Sequence, residues 1–223
     1  MVQQRRTETS FFSGLLVLIG GFVLLAVLVS VRPILTVDVQ IERAVQSMRA
    51  PWLDAVAFGL SFLGFPPWSI VIDALIVLAI AITGQRWAAL SAGFAAAGSA
   101  ALWFAVLAVV HRPRPTPDLV YVAARIGYGS FPSGHALNTL AFYGFLAVLA
   151  VQIERVWLRR IVVMVCALIP LGVGWSRIYV GEHWPTDVLG GYLLGAAWLL
   201  VTCRIYVTGT WRAALSVWHS KNS

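Results

Sequence analysis

The chain has 223 residues, of which 60% are hydrophobic and 11% charged, and its mean hydropathy is +0.84. These values exclude an ordinary soluble domain and indicate an integral membrane protein. The formal net charge of +7 would suggest nucleic acid as the partner of a soluble protein, but here the arginines flank long apolar runs, so we expect a lipid bilayer and no nucleic acid.

Six apolar runs predict six membrane spans, because most of them approach the ~20 residues that a helix needs to cross ~30 Å of hydrocarbon. The runs cover residues 11–31, 68–83, 87–110, 134–152, 160–176 and 186–206. The second is the shortest and contains Asp73, an intramembrane carboxylate for which the sequence names no partner or role. Alternatively, this second span begins near Leu63, and the GFPPW segment forms a kink within it.

In residues 34–50, between the first two runs, apolar and polar side chains recur at the spacing of a helix. Apolar side chains at Val37, Ile41, Val45 and Met48 lie opposite Asp38, Glu42, Arg43 and Arg49. This pattern predicts an amphipathic helix at the outer membrane interface, and we favour a simple anchor over a role in substrate gating.

The chain contains no internal repeat and no linker long enough to separate domains. We therefore expect an all-α, polytopic protein with a single domain over residues 1–223, built as a six-transmembrane-helix bundle. Lysines and arginines outside the polar motifs described next are biased to one side, which predicts that both the N- and the C-terminus are cytoplasmic. The sequence does not predict an oligomeric state.

Polar residues concentrate at three places between the later runs. The segments are HRPRP at 111–115, FPSGH at 131–135 and SRIYVGEHWPTD at 176–187. Successive spans cross the membrane in alternating directions, so the end of span three, the start of four, the end of five and the start of six emerge on one face. With cytoplasmic termini that face is extracytoplasmic, and we expect the three segments to form one site there.

The residue types of these segments suit a phosphate group. Arg112, Arg114 and Arg177 offer planar guanidinium forks that match phosphate oxygens. Ser133 and Gly134 lie at a predicted helix N-terminus, where free N–H groups and a partial positive charge favour an anion. The sequence therefore predicts a phosphate-binding site.

Two histidines predict hydrolytic chemistry at this site. His183 and Asp187 are four residues apart and share one helix face, so the carboxylate can orient the imidazole and leave its other nitrogen as a nucleophile. His135 comes from another helix and can protonate the departing alkoxide. Both histidines with Asp187 could alternatively hold Zn or Fe, but three arginines would repel a divalent cation, so we expect neither a metal nor a cofactor.

Two of these segments resemble a known family. PSGH at 132–135, and Ser176-Arg177 followed by His183 and Asp187, are similar to the second and third signature motifs of the type-2 phosphatidic acid phosphatase superfamily. Its soluble relatives are the vanadium haloperoxidases and bacterial acid phosphatases. The resemblance covers about residues 105–195.

The resemblance implies a role for each matching residue. It implies that His183 forms a phosphohistidine, that Asp187 orients His183, and that His135 is the general acid. It further implies that phosphate oxygens are bound by four residues, Ser133, Gly134, Arg177 and Arg114, and that no metal is required.

The chain departs from the first signature motif of the family. That motif has a Lys, six residues and then Arg-Pro, and counting back from Arg114 places Leu107 at the Lys position. Either the phosphate pocket has lost one cation, or Arg112 or His111 replaces it.

We therefore expect a membrane phosphatase that releases phosphate from a lipid phosphate or diphosphate at the extracytoplasmic face. Phosphatidate, phosphatidylglycerol phosphate and an isoprenyl diphosphate such as the undecaprenyl carrier are candidate substrates. One alternative is a lipid phosphotransferase in which a lipid hydroxyl resolves the phosphohistidine. Another is a protein that binds or transports lipid headgroups without chemistry.

Overall fold

The structure is a computed structural model that describes the backbone of residues 2–124 and 126–221, with the side chains of residues 8–124 and 126–210. The described residues form helices and no strands. The helices are α1 (Val2–Val31), α2 (Thr36–Gln46), α3 (Pro51–Gly64), α4 (Trp68–Ile82), α5 (Arg86–Leu107), α6 (Gly134–Ala150), α7 (Val156–Tyr179) and α8 (Pro185–Lys221). The predicted all-α fold is confirmed.

The predicted count of six spans is not confirmed. In the described residues four helical segments are long and apolar enough to cross a bilayer: Glu8–Val31, Arg86–Leu107, Val156–Tyr179 and Pro185–Thr210. Helices α3 and α4 pass the same test only together, with a bend of 60° between them, and would make a fifth span. The break falls at Pro66 and Pro67, because proline cannot continue the hydrogen-bonding pattern of a helix. Helix α6 is apolar but has only 17 residues.

Helix α6 lies at the centre and packs against α5, α7 and α8. Its contact with α8 is close because α8 presents glycines there. A Cβ atom added at Gly191 would lie 2.6 Å from the carbonyl oxygen of Ser133, and one at Gly195 would lie 2.8 Å from that of Leu137. These separations are too short for any side chain, so the two glycines allow the backbones of α6 and α8 to approach.

Helix α2 turns its polar face into the protein. Asp38 and Glu42 are fully buried, whereas Val37 and Ile41 are 49% and 43% exposed. The predicted helix between the first two apolar runs is therefore present, with its apolar side outward and its carboxylates against α7 and α8. Its position at a membrane interface stays a prediction.

Four helix ends meet at one end of the bundle. The α5–α6 connection supplies Arg112 and Arg114, the start of α6 supplies His135, and the α7–α8 connection supplies His183. Contacts among these residues, described next, show that the three polar segments converge as the alternation of spans predicted.

Candidate active site

The two histidines face each other across the site. The ring centroids of His135 and His183 are 6.4 Å apart, with an angle of 61° between the ring planes. Both residues are buried, and Nε2 of His135 has no hydrogen-bond partner among the described residues. The sequence segments 131–135 and 176–187 thus bring two imidazoles to one place.

The surroundings of His183 select its tautomer. Nδ1 of His183 lies 2.8 Å from the carbonyl oxygen of Ser130, an acceptor, so Nδ1 carries the proton. Nε2 then keeps its lone pair, and Nη1 of Arg114 lies 3.4 Å from it. An imidazole held in this way can act as a nucleophile through Nε2.

The electrostatic environment keeps His183 neutral. Burial lowers the pKa of His183 from 6.5 to about 4, and the positive charges of Arg114 and Arg177 act in the same direction. Asp187 partly opposes this shift. At neutral pH the lone pair of His183 is therefore available for attack.

Asp187 is held by three donors and does not touch the imidazole closely. Arg112 donates to Oδ1 over 2.5 Å, and the backbone N–H of Trp184 donates to Oδ2 over 2.9 Å. The hydroxyl of Ser130 also donates to Oδ2. Nδ1 of His183 is 3.7 Å from Oδ2, so the carboxylate acts on the imidazole mainly through its field and through Ser130.

Ser130 is a site residue that sequence reasoning missed. Its hydroxyl fixes Asp187 and its carbonyl accepts from His183, while its own N–H donates to the carbonyl of Arg112 over 2.9 Å. The only signal in the sequence was its place two residues before the PSGH segment, and residue type alone says nothing about a backbone carbonyl.

Two of the three predicted phosphate-binding arginines border the histidines. Arg114 donates through Nη1 to the carbonyl of Glu182 over 2.5 Å and through Nε to that of Tyr128 over 2.9 Å. Arg177, at the end of α7, contacts the hydroxyl of Ser61 on α3 and forms an ion pair with the side chain of Glu182. The guanidinium group of Arg114 is thereby held beside the imidazole of His183, and the charge of Arg177 acts on both histidines.

Arg112 has partners of a different kind from those expected. It is buried and donates to Asp187, to Asp38 of α2 over 2.6 Å, to the hydroxyl of Thr186 over 2.7 Å and to the carbonyl of Pro33 over 2.8 Å. Its guanidinium therefore binds the carboxylate behind His183, and a phosphate-binding role for Arg112 stays a prediction that these contacts do not favour.

Ser133 and Gly134 lie where the sequence places them, at the start of α6. Ser133 is the N-cap, and its hydroxyl oxygen accepts from the N–H of Ala136. A Cβ atom at Gly134 would lie 3.0 Å from the indole nitrogen of Trp103. The position therefore suits glycine, and the helix N-terminus it opens can attract an anion.

Leu107, at the family's Lys position, ends α5. Its Cδ1 lies 3.1 Å from where a Cβ of Gly129 would be, so it packs against that glycine, whose carbonyl accepts from Nη2 of Arg114 over 3.2 Å. An apolar side chain thus lies against the glycine that binds Arg114, a predicted phosphate-binding residue.

A cavity of about 480 Å³ opens beside Arg114. Its walls are residues 113–118 of the extended segment together with Val122, Ala124, Ile126 and Gly181. Gly181 has a φ of +71°, and a Cβ there would collide with the carbonyl oxygen of Tyr121. This glycine lets the chain turn directly before His183.

Asp73 gains partners in the structure. Nδ2 of Asn138 donates to its carboxylate over 3.0 Å, and the hydroxyl of Ser99 donates to Oδ1 of Asn138 over 2.7 Å. These three residues join α4, α5 and α6 about one helical turn beyond His135. The contacts explain how this carboxylate is accommodated between apolar helices.

Within the described part of the chain, no three His, Cys, Asp or Glu side chains are grouped so that they could hold a metal ion. The expected absence of a metal in the reaction stays a prediction.

Comparison with known proteins identifies the family of the chain. The family model of the PAP2 superfamily matches residues 87–211. The chain belongs to the PAP2 superfamily. Phosphatidylglycerophosphatase B of Bacillus subtilis is 28% identical over 177 residues, which cover 78% of this chain and 85% of the relative. Undecaprenyl-diphosphatase BcrC of the same organism is 30% identical, over 57% of this chain and 64% of the relative.

A solved structure of a PAP2 family member is also similar. The transmembrane PAP2 type phosphatidylglycerolphosphate phosphatase from Bacillus subtilis superposes with a TM-score of 0.73 and 26% identity, covering 84% of this chain and 93% of its own. The PAP2 fold and these phosphatases identify the chain as an integral membrane phosphoric ester hydrolase, which disfavours the alternative of a headgroup binder without chemistry.

Proposed function

We propose that this PAP2 protein hydrolyses a membrane lipid phosphate or diphosphate through a phosphohistidine on His183, at the extracytoplasmic face. The observation that carries the proposal is the arrangement around Nε2 of His183, with Arg114 3.4 Å away and the ring of His135 opposite. The relatives act on phosphatidylglycerophosphate and undecaprenyl diphosphate, which supports substrates of these types or phosphatidate.

In the first step, Nε2 of His183 attacks phosphorus and the bond from phosphorus to the lipid oxygen breaks. The negative charge of the bound phosphate stabilises the protonated form of His135, which gives its proton to that oxygen and becomes neutral. The departing group is a lipid alcohol when the substrate is a lipid monophosphate, and a lipid monophosphate when the substrate is a lipid diphosphate. Arg114, Arg177 and the N-terminus of α6 at Ser133 and Gly134 bind the phosphoryl oxygens as negative charge develops.

In the second step, His135 takes a proton from water, the water oxygen attacks phosphorus, and the bond to Nε2 breaks. Inorganic phosphate leaves and both histidines return to their starting states. While phosphorylated, the ring of His183 is positively charged, and the carbonyl of Ser130 and the carboxylate of Asp187 stabilise that charge.

The chemistry of the substrate supports the proposed membrane position. A lipid phosphate keeps its tail in hydrocarbon and its headgroup at the surface, and the site lies at one end of an apolar bundle. Positively charged residues outside the motifs favour cytoplasmic termini, which puts this end on the outer side.

The test is phosphate release from phosphatidate, phosphatidylglycerol phosphate and undecaprenyl diphosphate by the full chain in detergent, with EDTA present. His183→Ala should abolish release from every lipid that the unaltered protein hydrolyses, because the nucleophile is lost. Arg86→Ala is the control, since Arg86 is exposed at the start of α5, at the opposite end of that helix from the site, and should be replaceable without effect. Undiminished turnover in purified His183→Ala would refute the phosphohistidine mechanism, and a labelled acceptor lipid that gains phosphate would indicate transfer instead of hydrolysis.

A further inference from the structure

Helix α2 lies outside the part of the chain that the family model matches, yet it supplies a buried carboxylate to the site. Asp38 of α2 is fully buried. Its Oδ2 accepts from Nη2 of Arg112 over 2.6 Å and from the hydroxyl of Thr186 over 2.7 Å, and its Oδ1 accepts from the N–H of Thr186 over 2.9 Å. Asp38 therefore caps the beginning of α8, the helix that carries Asp187.

Arg112 links Asp38 to Asp187. Its Nη2 binds Asp38 and its Nη1 binds Asp187 over 2.5 Å, and the side chains of all three residues are fully buried. Thr186 completes the connection, because its hydroxyl donates to Asp38 and accepts from Nη1 of Arg112. A buried guanidinium group that binds a carboxylate on each side is held in one orientation.

The connection continues to the nucleophile. Asp187 accepts from the hydroxyl of Ser130, and the carbonyl of Ser130 accepts from Nδ1 of His183. Each contact from α2 to the imidazole is thus a hydrogen bond or an ion pair between buried groups.

We propose that Asp38 is a positioning residue of the phosphatase site, which acts through Arg112 and Thr186 to fix Asp187 and, through Ser130, the imidazole of His183. The proposal rests on the proposed function, because it concerns the rate of that reaction. It makes α2 part of the active site and assigns Arg112 to positioning.

No other group at this end of α2 replaces the charge of Asp38. The nearest acid, Glu42, lies one turn along the helix, and burial, reinforced by the negative charges of Asp187 and Asp38, raises its pKa to about 9. Glu42 is therefore neutral at pH 7, and among the described residues Arg112 is the only arginine that hydrogen-bonds Asp38 or Asp187.

The first test is Asp38→Asn in the full chain, with kcat and KM measured by phosphate release. The amide keeps the size of the side chain but removes its charge and half of its acceptor capacity. We expect kcat to fall roughly 10- to 100-fold, as is typical when the partner of a site residue is lost, with KM changing less than about threefold. The control is Asp54→Asn, which removes a carboxylate that binds Arg49 and Tyr179 instead of a site residue, and its kcat should stay within about twofold.

The second test asks whether Asp38 acts through Asp187. In a protein that already carries Asp187→Asn, adding Asp38→Asn should change the residual kcat less than about threefold, because residues that act as a unit are not additive. A merely structural role predicts that the two losses multiply, and that result would overturn the proposal.

Thr186→Val covers the case in which Asp38→Asn does not yield folded protein. This substitution removes the hydroxyl between Asp38 and Arg112 and keeps every charge. We expect it to lower kcat by about fivefold or more in the otherwise unaltered protein and to have almost no further effect beside Asp187→Asn. An unaltered protein inactive on all lipids would refute the proposed function, whereas an active one that neither Asp38→Asn nor Thr186→Val slows would refute the inference alone.

Discussion

Gly64 limits the space available to His135, the proposed general acid. It is the last residue of α3, and a Cβ atom added there would lie 2.6 Å from Cδ2, 3.1 Å from Cγ and 3.2 Å from Cβ of His135. Carbon atoms in contact prefer about 3.5–4.0 Å, so in Gly64→Ala the imidazole must move by about 1 Å. A misplacement of that size can cost on the order of 10²-fold in rate, so we expect kcat/KM for lipid substrates to fall by about 10- to 100-fold.

Gly59→Ala is the matched control on the same helix. A Cβ atom there meets nothing within 4 Å, so activity should be unchanged and the protein should gain about 0.5–1 kcal/mol from the lower flexibility of alanine. The assay is phosphate release by both purified variants, together with their Tm values.

Substrates with different leaving groups distinguish displacement of the general acid from a general loss of structure. An aryl phosphate with a good leaving group needs little help from an acid, so Gly64→Ala should lose much less activity on it than on a lipid phosphate. Equal activity of folded Gly64→Ala and Gly59→Ala on lipid, or equal losses on both substrates, would refute the assignment of His135 as the acid positioned by Gly64.

Two further predictions concern the nucleophile and the missing cation. Burial above all lowers the pKa of His183 to about 4, and only the neutral imidazole attacks. We therefore expect kcat/KM to fall as the pH drops through about 4. A decline near pH 6.5 in a pH series would contradict this. Leu107→Lys should raise kcat about tenfold or more by adding a cation beside Arg114, since Arg112 is occupied by Asp38 and Asp187. Leu107→Met is the uncharged control for the phosphate-release assay, and equal turnover of both variants would show that no cation is missing.

The sequence was sufficient to predict which helix ends meet. Alternating spans require the ends that carry His135 and His183 to share a face, and the structure brings the two rings within 6.4 Å. Residue types also predicted Arg114 as a neighbour of the nucleophile. These features depend on chain direction and local spacing, which a sequence records.

Contacts between distant segments were not predictable in the same way. Asp38 and Arg112 are 74 residues apart, and the pattern of α2 predicts a helix without saying which face is buried. Two arginines of one short segment look equivalent in sequence, yet Arg114 faces His183 and Arg112 faces Asp187. A kink at GFPPW was one of the two alternatives that the sequence offered, and the break between α3 and α4 falls there. Its angle of 60° was not predictable, because an apolar run indicates a preference for lipid and not a direction.

The length of α6 bears on how a lipid reaches the histidines. Its 17 residues extend about 26 Å at 1.5 Å per residue, slightly less than the ~30 Å of hydrocarbon in a bilayer. In the proposed membrane position, His135, in the first turn of α6, would lie at the depth where a phosphate is joined to its fatty or isoprenoid tail. In that position the headgroup would reach the histidines while the apolar tail of the lipid stays in the hydrocarbon.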